Sequence, residues 1–571
     1  MKSIDDIIRA ARGDLEIDLI LRNAHLVNVY SGEIYQTDIA IYDEYIIGIG
    51  QDYNAKEILD ANGLFAMPGF IDAHVHIESS MVEVPEFAKA VVPLGTTSVV
   101  ADPHEIANIF GYEGIRYMMD ASKYNPLNVF YMMPSCVPST SLETAGSQIR
   151  AFDIYPFLRE KWVLGLGEMM NFEGVINGDE EVLDKLKLTT DKRLDGHAPG
   201  LTGKPLNTYI AAGIESDHEC TTPEEALEKL RLGMHIMIRE GSGTKNLLAL
   251  LKMVRQENLS RCMFATDDRH PHDIIEEGHI NYMIRKSIEF GIDPVSAIRM
   301  ATINAATYFN LRKTGGIAPG NFADIVLVDD LAAFNVKMVF KNGSLVAKDG
   351  ALVHQVTERP RASIRSSVNI KWLEGDEFRI PARGDTCHVI ELIKDQIVTE
   401  KRIERPKIEN GFVVSDPSRD LLRCFVIERH QASGRIGSGL VRGFGLKDGA
   451  IASTISHDSH NIIVVGVNDE DIMRAVIQLN KVGGGIVVAR GGKAIETLEL
   501  PIGGLMSNAP LEEVNNRLKK LIAETGALGS RLSDPFMQLS FLALPVIPKI
   551  KLTDKGLVDV EKFDFIDLFI G

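Results

Sequence analysis

Cysteine is scarce and scattered: Cys136, Cys220, Cys262, Cys387 and Cys424 are the only five in 571 residues, and none form a Cys-x-x-Cys pair. That spacing argues against a thiolate metal site and for a reducing compartment. No apolar run approaches membrane-spanning length. The opening MKSIDDIIRAARGDLEIDL mixes acids into every apolar stretch, so no export signal is visible. No long Lys/Arg block is present and the net charge is −18, which excludes a phosphate-backbone partner. No GxGxxG lies between a strand and a helix and no GK[ST] occurs, so a nucleotide phosphate loop is not expected. The absences leave a soluble, cytoplasmic-type protein with no membrane or nucleic-acid partner. Its 45% hydrophobic and 25% charged content is that of a globular chain with real cores, and its length exceeds one domain.

What is present centres on PGFIDAHVHIESS, from Pro68 to Ser80. His74 and His76 are two apart, so in an extended strand both rings share a face and can grip one metal. Around this stretch, two sets of short alternating strands stand far apart. One set fills 17–59 (IDLILRNAHLVNV, DIAIYDEYIIGIG and a third near Lys56 to Leu59); the other is ADIVLVD, VKMVFKNG and LVAKDG. Together they predict one small β-sandwich built from both flanks, 1–67 and 313–366.

The intervening 68–312 has about the ~250 residues of a (β/α)₈ TIM-type barrel. Eight candidate strands each end in polar chemistry. The first ends at His74 and His76, the second at Asp102, His104 and Glu105, and the third at Ser135. The fourth ends at Glu168, the fifth at His197, the sixth at His218, the seventh near Arg239 and Glu240, and the eighth at Asp267 and Asp268. Helices fit between them: Thr222-Pro223 and Asp293-Pro294 are both N-cap and first-turn pairs. Any one of these polar residues suits a capped turn or a solvated loop. Repeated at strand after strand, they predict a metal centre at the barrel mouth.

PGFIDAHVH, the later single histidines, the ATDD strand end and TINAATYFNLRKTGGIAPGNFADIVLVD together resemble the amidohydrolase superfamily, over roughly 17–350. HVHIESSMV, ADPHEIANI, GLGEMMNF, DGHAPGL and ATDDRHP are similar to its bacterial adenine deaminase family, and the likeness continues through SHDSHNI. The resemblance implies hydrolytic deamination of adenine to hypoxanthine and ammonia, a purine-salvage step, by a homo-oligomer such as a dimer. It implies two divalent cations, manganese or iron, with zinc also compatible. Many barrel hydrolases of this kind bridge two metals with a carbamylated lysine after the fourth strand. Here that position is Glu168, whose own carboxylate needs no modification. His74, His76, Glu168 and Asp267 would then hold one cation, and Glu168, His197 and His218 the other, all through oxygen or nitrogen.

On the same reading Asp267 takes the proton of the attacking water and passes it to the departing ammonia. Glu105 and Asp102 are candidates for the acid that protonates the ring. Asp268 is a candidate for recognising the purine, with His104 and Glu78 beside it, and Asp267 and Asp268 could exchange roles. One departure stands out: Ala198, Pro199 and Gly200 follow His197, so no His-x-Glu or His-x-x-x-Glu acid is present there. His76-Ile77-Glu78 spells His-x-Glu, yet no Pro-Cys-x-x-Cys follows, which excludes the cytidine-deaminase fold. Two alternatives stay open: another amidohydrolase acting on a cyclic amide or amidine, in the manner of a dihydropyrimidinase, or a non-catalytic barrel.

Beyond the second flank, VTERPRASIRSS has the composition of a linker or surface crossing. The remaining 367–571 form a C-terminal α/β domain, with helical spacing in EDIMRAVIQLNKVGGG followed by the strand IVVAR. His457, Asp458 and His460 form either a satisfied polar turn or a group that reaches over the barrel mouth.

Overall fold

The computed structural model describes residues 2–50, 52–353, 367–394 and 396–570, and all but the last residue of VTERPRASIRSS lies outside that set. Eight strands run parallel through the middle of the chain: β1 (Phe70–Val75), β2 (Thr96–Ala101), β3 (Asn128–Met133), β4 (Val163–Met169), β5 (Arg193–Gly196), β6 (Ser216–Asp217), β7 (His235–Arg239) and β8 (Cys262–Ala265). β1 to β5 form one sheet in chain order, and β6 to β8 a second. The two sheets meet at both margins. Glu215 N–H, just before β6, donates to the Leu194 carbonyl of β5 at 2.9 Å, and Asp267 N–H, just past β8, donates to the His74 carbonyl of β1 at 2.9 Å. The parallel sheet is therefore curled, bringing its first and last strands side by side. β1 and β2 are buried at every position, as parallel strands covered on both faces must be.

Helices cross between these strands with the expected caps. Thr222 Oγ1 accepts the Glu225 N–H at 3.3 Å, and Asp293 Oδ2 accepts the Ser296 N–H at 2.9 Å, each with proline in the first turn. Asp72 in β1 fastens the closing edge: its carboxylate accepts the Thr266 N–H at 3.0 Å and the Thr266 hydroxyl at 2.5 Å. Asp267 is thus held from the residue before it.

The two flanks do come together, in one nine-stranded sheet. Phe65–Pro68 joins them, parallel to Ile17–Asn28 on one side and antiparallel to Ile325–Val328 on the other. After the second flank, an eight-stranded sheet carries the C-terminal region, with helix Asp469–Val482 laid across it. Asn468 caps that helix by accepting the Asp471 N–H at 2.8 Å, and Gly483 ends it at φ 79° before strand Gly485–Arg490. One continuous apolar core runs from β1 (Phe70, Val75) through the curled sheet to Leu539, Leu542 and Leu552. The C-terminal region is therefore packed onto the strand ends.

Candidate metal centre

Residues at and just past the strand ends converge in one buried cluster. His74 and His76 leave β1 on the same side, as their spacing predicts, with their Nε2 atoms 3.1 Å apart. Glu168, near the end of β4, stands between the histidines. Its Oε1 lies 3.1 Å from His76 Nε2 and 3.7 Å from His74 Nε2. Its Oε2 lies 2.5 Å from His197 Nδ1 and 3.2 Å from His218 Nε2. Asp267 Oδ1 closes the first group at 3.1 Å from His76 and 3.5 Å from His74. The backbone of Asp267 is left-handed, at φ 58°. Strand alternation has therefore ended, and both Asp267 and its neighbour Asp268 line the cavity.

Glu168 is fixed by its own backbone. Asp102 Oδ2 accepts the Glu168 N–H at 3.0 Å, and Ser135 Oγ donates to its carbonyl at 2.5 Å. Only glycine fits at 167, because a Cβ there would fall 1.9 Å from Asp102 Oδ2. Burial alone would raise the Glu168 carboxyl, but the charge and hydrogen bond of His197, with the hydrogen bonds of His218 and His76, hold it well below the carboxylate range. Asp267 is likewise held low against burial by His74, His76 and Arg239.

The cluster has the donor chemistry of a cation site. His76 Nδ1 bonds the Asp102 carbonyl at 2.9 Å, so that nitrogen keeps its proton and Nε2 is the one that can exchange a proton for a cation. His197 Nε2 is buried without a hydrogen-bond partner, and His218 Nε2 faces only carboxylate oxygens, of Glu168 and Glu219. His74, His76 and Glu168 form one group whose ligand atoms lie within 4.8 Å of one another; Glu168, His197 and His218 form another, and His74, His218 and Asp267 a third. Imidazole nitrogens and carboxylate oxygens that converge this closely suit divalent ions.

The remaining candidates divide. Glu105 and His104 line the cavity with Asp268. Ser79 Oγ donates to Asp268 Oδ1 at 2.5 Å and lies 3.3 Å from Glu105 Oε1. Burial, with the charges of Asp268 and Glu78, pushes the Glu105 carboxyl well above its usual range. Asp102 stands behind Glu168 and does not line the cavity. Glu78 is also set back, with Oε1 accepting the Ile106 N–H at 3.2 Å. Glu240 accepts the Leu247 N–H and is likewise outside the lining.

Glu219 and the apolar lining residues had no part in the expected site. Glu219 lies 3.4 Å from His218 Nε2 and 3.7 Å from His197 Nδ1, and pairs with Arg239, which also reaches Asp267 Oδ2 at 3.1 Å. The one available signal was its place beside His218 just past a strand end. The C-terminal region supplies the roof: His457, Asp458, Ile397, Phe541, Leu544 and Ile547. The two readings of the His457 turn divide: His457 and Asp458 reach over the mouth, while His460 stays in the turn, accepting the Ser456 N–H at 3.2 Å.

Among the described residues, no helix is long and apolar enough to cross a membrane. Residues 65–346 match the amidohydrolase family, and residues 396–564 match the adenine deaminase C-terminal domain. The chain is 51% identical over 567 residues to an adenine deaminase of Desulfatibacillum aliphaticivorans, covering 99% of each. It is 49% identical to adenine deaminase 2 of Carboxydothermus hydrogenoformans, again over 99% of each chain. A third adenine deaminase, from Methanothrix thermoacetophila, is 50% identical over 99% of this chain and 100% of its own. Matched at about half identity along essentially its whole length, and carrying buried His, Glu and Asp groups that could hold a metal ion, the chain belongs to the adenine deaminase family of amidohydrolases.

Proposed function

We infer that this protein hydrolyses adenine to hypoxanthine and ammonia, as a cytoplasmic enzyme of purine salvage. The observation that carries the reading is Glu168: its two oxygens face separate imidazole sets beneath a roof of apolar side chains. We read the curled parallel sheet as a (β/α)₈ barrel over 68–312, with a flanking β-sandwich from 1–67 and 313–366 and a C-terminal domain from 367. The five unpaired, buried cysteines suit a reducing compartment.

Glu168 would help to hold two divalent ions, manganese or iron as the family resemblance implies and zinc also compatible with its oxygen and nitrogen donors, and ions held there would supply hydroxide near neutral pH. His74, His76 and Asp267 serve the first and His197 and His218 the second. Asp267, kept ionised by its neighbours, accepts a proton from the attacking water and delivers it to the amine. Glu105, kept protonated by burial, donates to the ring nitrogen beside the attacked carbon. Asp102 is assigned to positioning, since its carboxylate is engaged by the Glu168 backbone. Asp268 takes a purine N–H, and Ile397, Phe541, Leu544 and Ile547 cover the ring and exclude bulk water.

The test is ammonia release by the ion-loaded full chain on adenine, adenosine, cytosine and dihydropyrimidines. Adenine should be the preferred substrate by a wide margin. Hydrolysis of a dihydropyrimidine with adenine untouched would replace this reading by the cyclic-amide alternative, and inactivity on all with ions bound would favour a scaffold.

A further inference from the structure

The proposed mechanism leaves His457 without a task, although the C-terminal region places it in the cavity beside Glu105 and Asp268. Its Nδ1 lies 3.4 Å from Glu105 Oε1 and 3.8 Å from Asp458 Oδ1. The ring lies flat on Phe541, with centroids 4.6 Å and planes 19° apart. Burial lowers its pKa, which leaves a neutral imidazole with one donor and one acceptor nitrogen.

Distance alone would also allow a third cation among Glu105, His457 and His460, whose ligand atoms fall within 4.8 Å of one another. The tautomer of His460 speaks against it. The Ser456 N–H donates to His460 Nδ1 at 3.2 Å, so a neutral ring carries its proton on Nε2 and has no lone pair to offer there. A hydrogen-bonding role fits the group better than a metal.

Glu105 as an acid needs its proton on one defined oxygen. Ser79 has a single hydroxyl proton, and its short bond to Asp268 Oδ1, 2.5 Å against 3.3 Å to Glu105 Oε1, claims it. The donor left facing Oε1 is His457 Nδ1. We propose that His457 is a positioning residue for catalysis: its Nδ1–H bonds Glu105 Oε1, so that the acid proton sits on Oε2, available to the adenine ring. When Glu105 gives that proton up, its O–H bond breaks, an N–H bond forms on the ring, and the same Nδ1–H stabilises the carboxylate left behind. His457 itself gains and loses no proton. The inference rests on the deamination reading and adds that the C-terminal region takes part in the chemistry as well as covering it.

Adenine kinetics, ion content and circular dichroism are compared for the full chain as wild type, Glu105→Gln, His457→Phe, His457→Asn and the double variant Glu105→Gln/His457→Phe. His457→Phe should lower kcat about 10²-fold, the low end of general acid catalysis, with KM and ion content within about twofold. His457→Asn places an amide nitrogen near the Nδ1 position and should stay within about tenfold of wild type, which also serves if the phenylalanine variant misfolds. The double variant should be no slower than Glu105→Gln alone, because both changes remove one interaction. A His457→Phe kcat within about threefold of wild type overturns the inference. So does a double variant whose losses multiply, or an asparagine variant slowed 10²-fold or more. Wild type inactive on adenine overturns the deamination reading and this one with it; active wild type with an indifferent His457→Phe strikes this one alone.

Discussion

The cluster around Glu168 and the roof above it wall one cavity by opposite means. Every member of the cluster stands at or just beyond a short buried strand, so the backbone register of the curled sheet places it. The roof is gathered from a loop at Ile397, a turn at His457 and Asp458, and the segment from Phe541 to Ile547. Its parts are held by contacts between distant stretches. Lys551 Nζ, fully buried, donates to the carbonyls of Ile397 at 2.8 Å and Phe541 at 2.9 Å, and the Ser507 N–H donates to the Met81 carbonyl at 2.8 Å. The difference teaches that the buried His, Glu and Asp cluster is written locally and the roof over it is not. Changes in the cluster should strike kcat and ion binding, and changes in the roof should strike selectivity and stability.

The largest effect should come from within the cluster. Asp267→Asn removes a charge that faces His74, His76 and Arg239, and should cut kcat for adenine on the order of 10³-fold. Asp268→Asn, whose wild-type carboxylate faces Ser79, should mainly raise KM and keep a measurable rate at saturation. Steady-state kinetics on both variants check the pair. A dead Asp268→Asn beside a working Asp267→Asn would show the two roles exchanged.

In the roof, Lys551 gives a pH signature. Burial pulls its pKa down from 10.5 to about 7. A depressed lysine contributes stability that is present above its unfolded pKa and lost as pH falls towards the folded one. The wild type should therefore lose up to about 5 kcal/mol between pH 10.5 and 7 from this group. Lys551→Met should flatten that slope in denaturant titrations run at several pH values. An unchanged slope would mean that the lysine stays charged where it is.

A smaller effect is expected from trimming the roof. Leu544→Ala opens space over the ring and should raise kcat/KM for adenosine relative to adenine roughly tenfold, the range in which a hydrophobic pocket discriminates. Competition assays with both substrates measure this. An unchanged ratio would move the bulk filter elsewhere in the cavity.

The same contrast explains what the sequence disclosed. His74 and His76 were legible because a period of two puts them on one face, Glu168 and Asp267 because each comes at the end of a buried apolar run, and His197 and His218 because each is a lone imidazole just past a short strand. The paired flanks were legible by alternation, and the strand between them, Phe65–Pro68, pairs with both. Asp102 was visible as an acid, yet its engagement with the Glu168 backbone depends on the absent side chain of Gly167, which is a tertiary fact. Glu219 hid because the strand before it is only two residues long, too short for alternation to show which way an acid points. Leu544 and Ile547 read as ordinary core, since an apolar residue over a cavity has the same local signature as one in a core. The direction of the His457 turn was fixed only by packing, through its backbone N–H on the Ser540 carbonyl at 3.1 Å.

The central claim is that an unmodified Glu168 carboxylate joins two ion sites, and ion counting on Glu168→Gln tests it most directly. The variant keeps the shape of the side chain and removes its charge. Elemental analysis of wild type should give about two divalent ions per chain, the stoichiometry of a two-metal hydrolytic centre. The Glu168→Gln chain, folded by circular dichroism, should hold fewer than about one and lose adenine turnover. A folded Glu168→Gln protein that retained both ions would contradict the account.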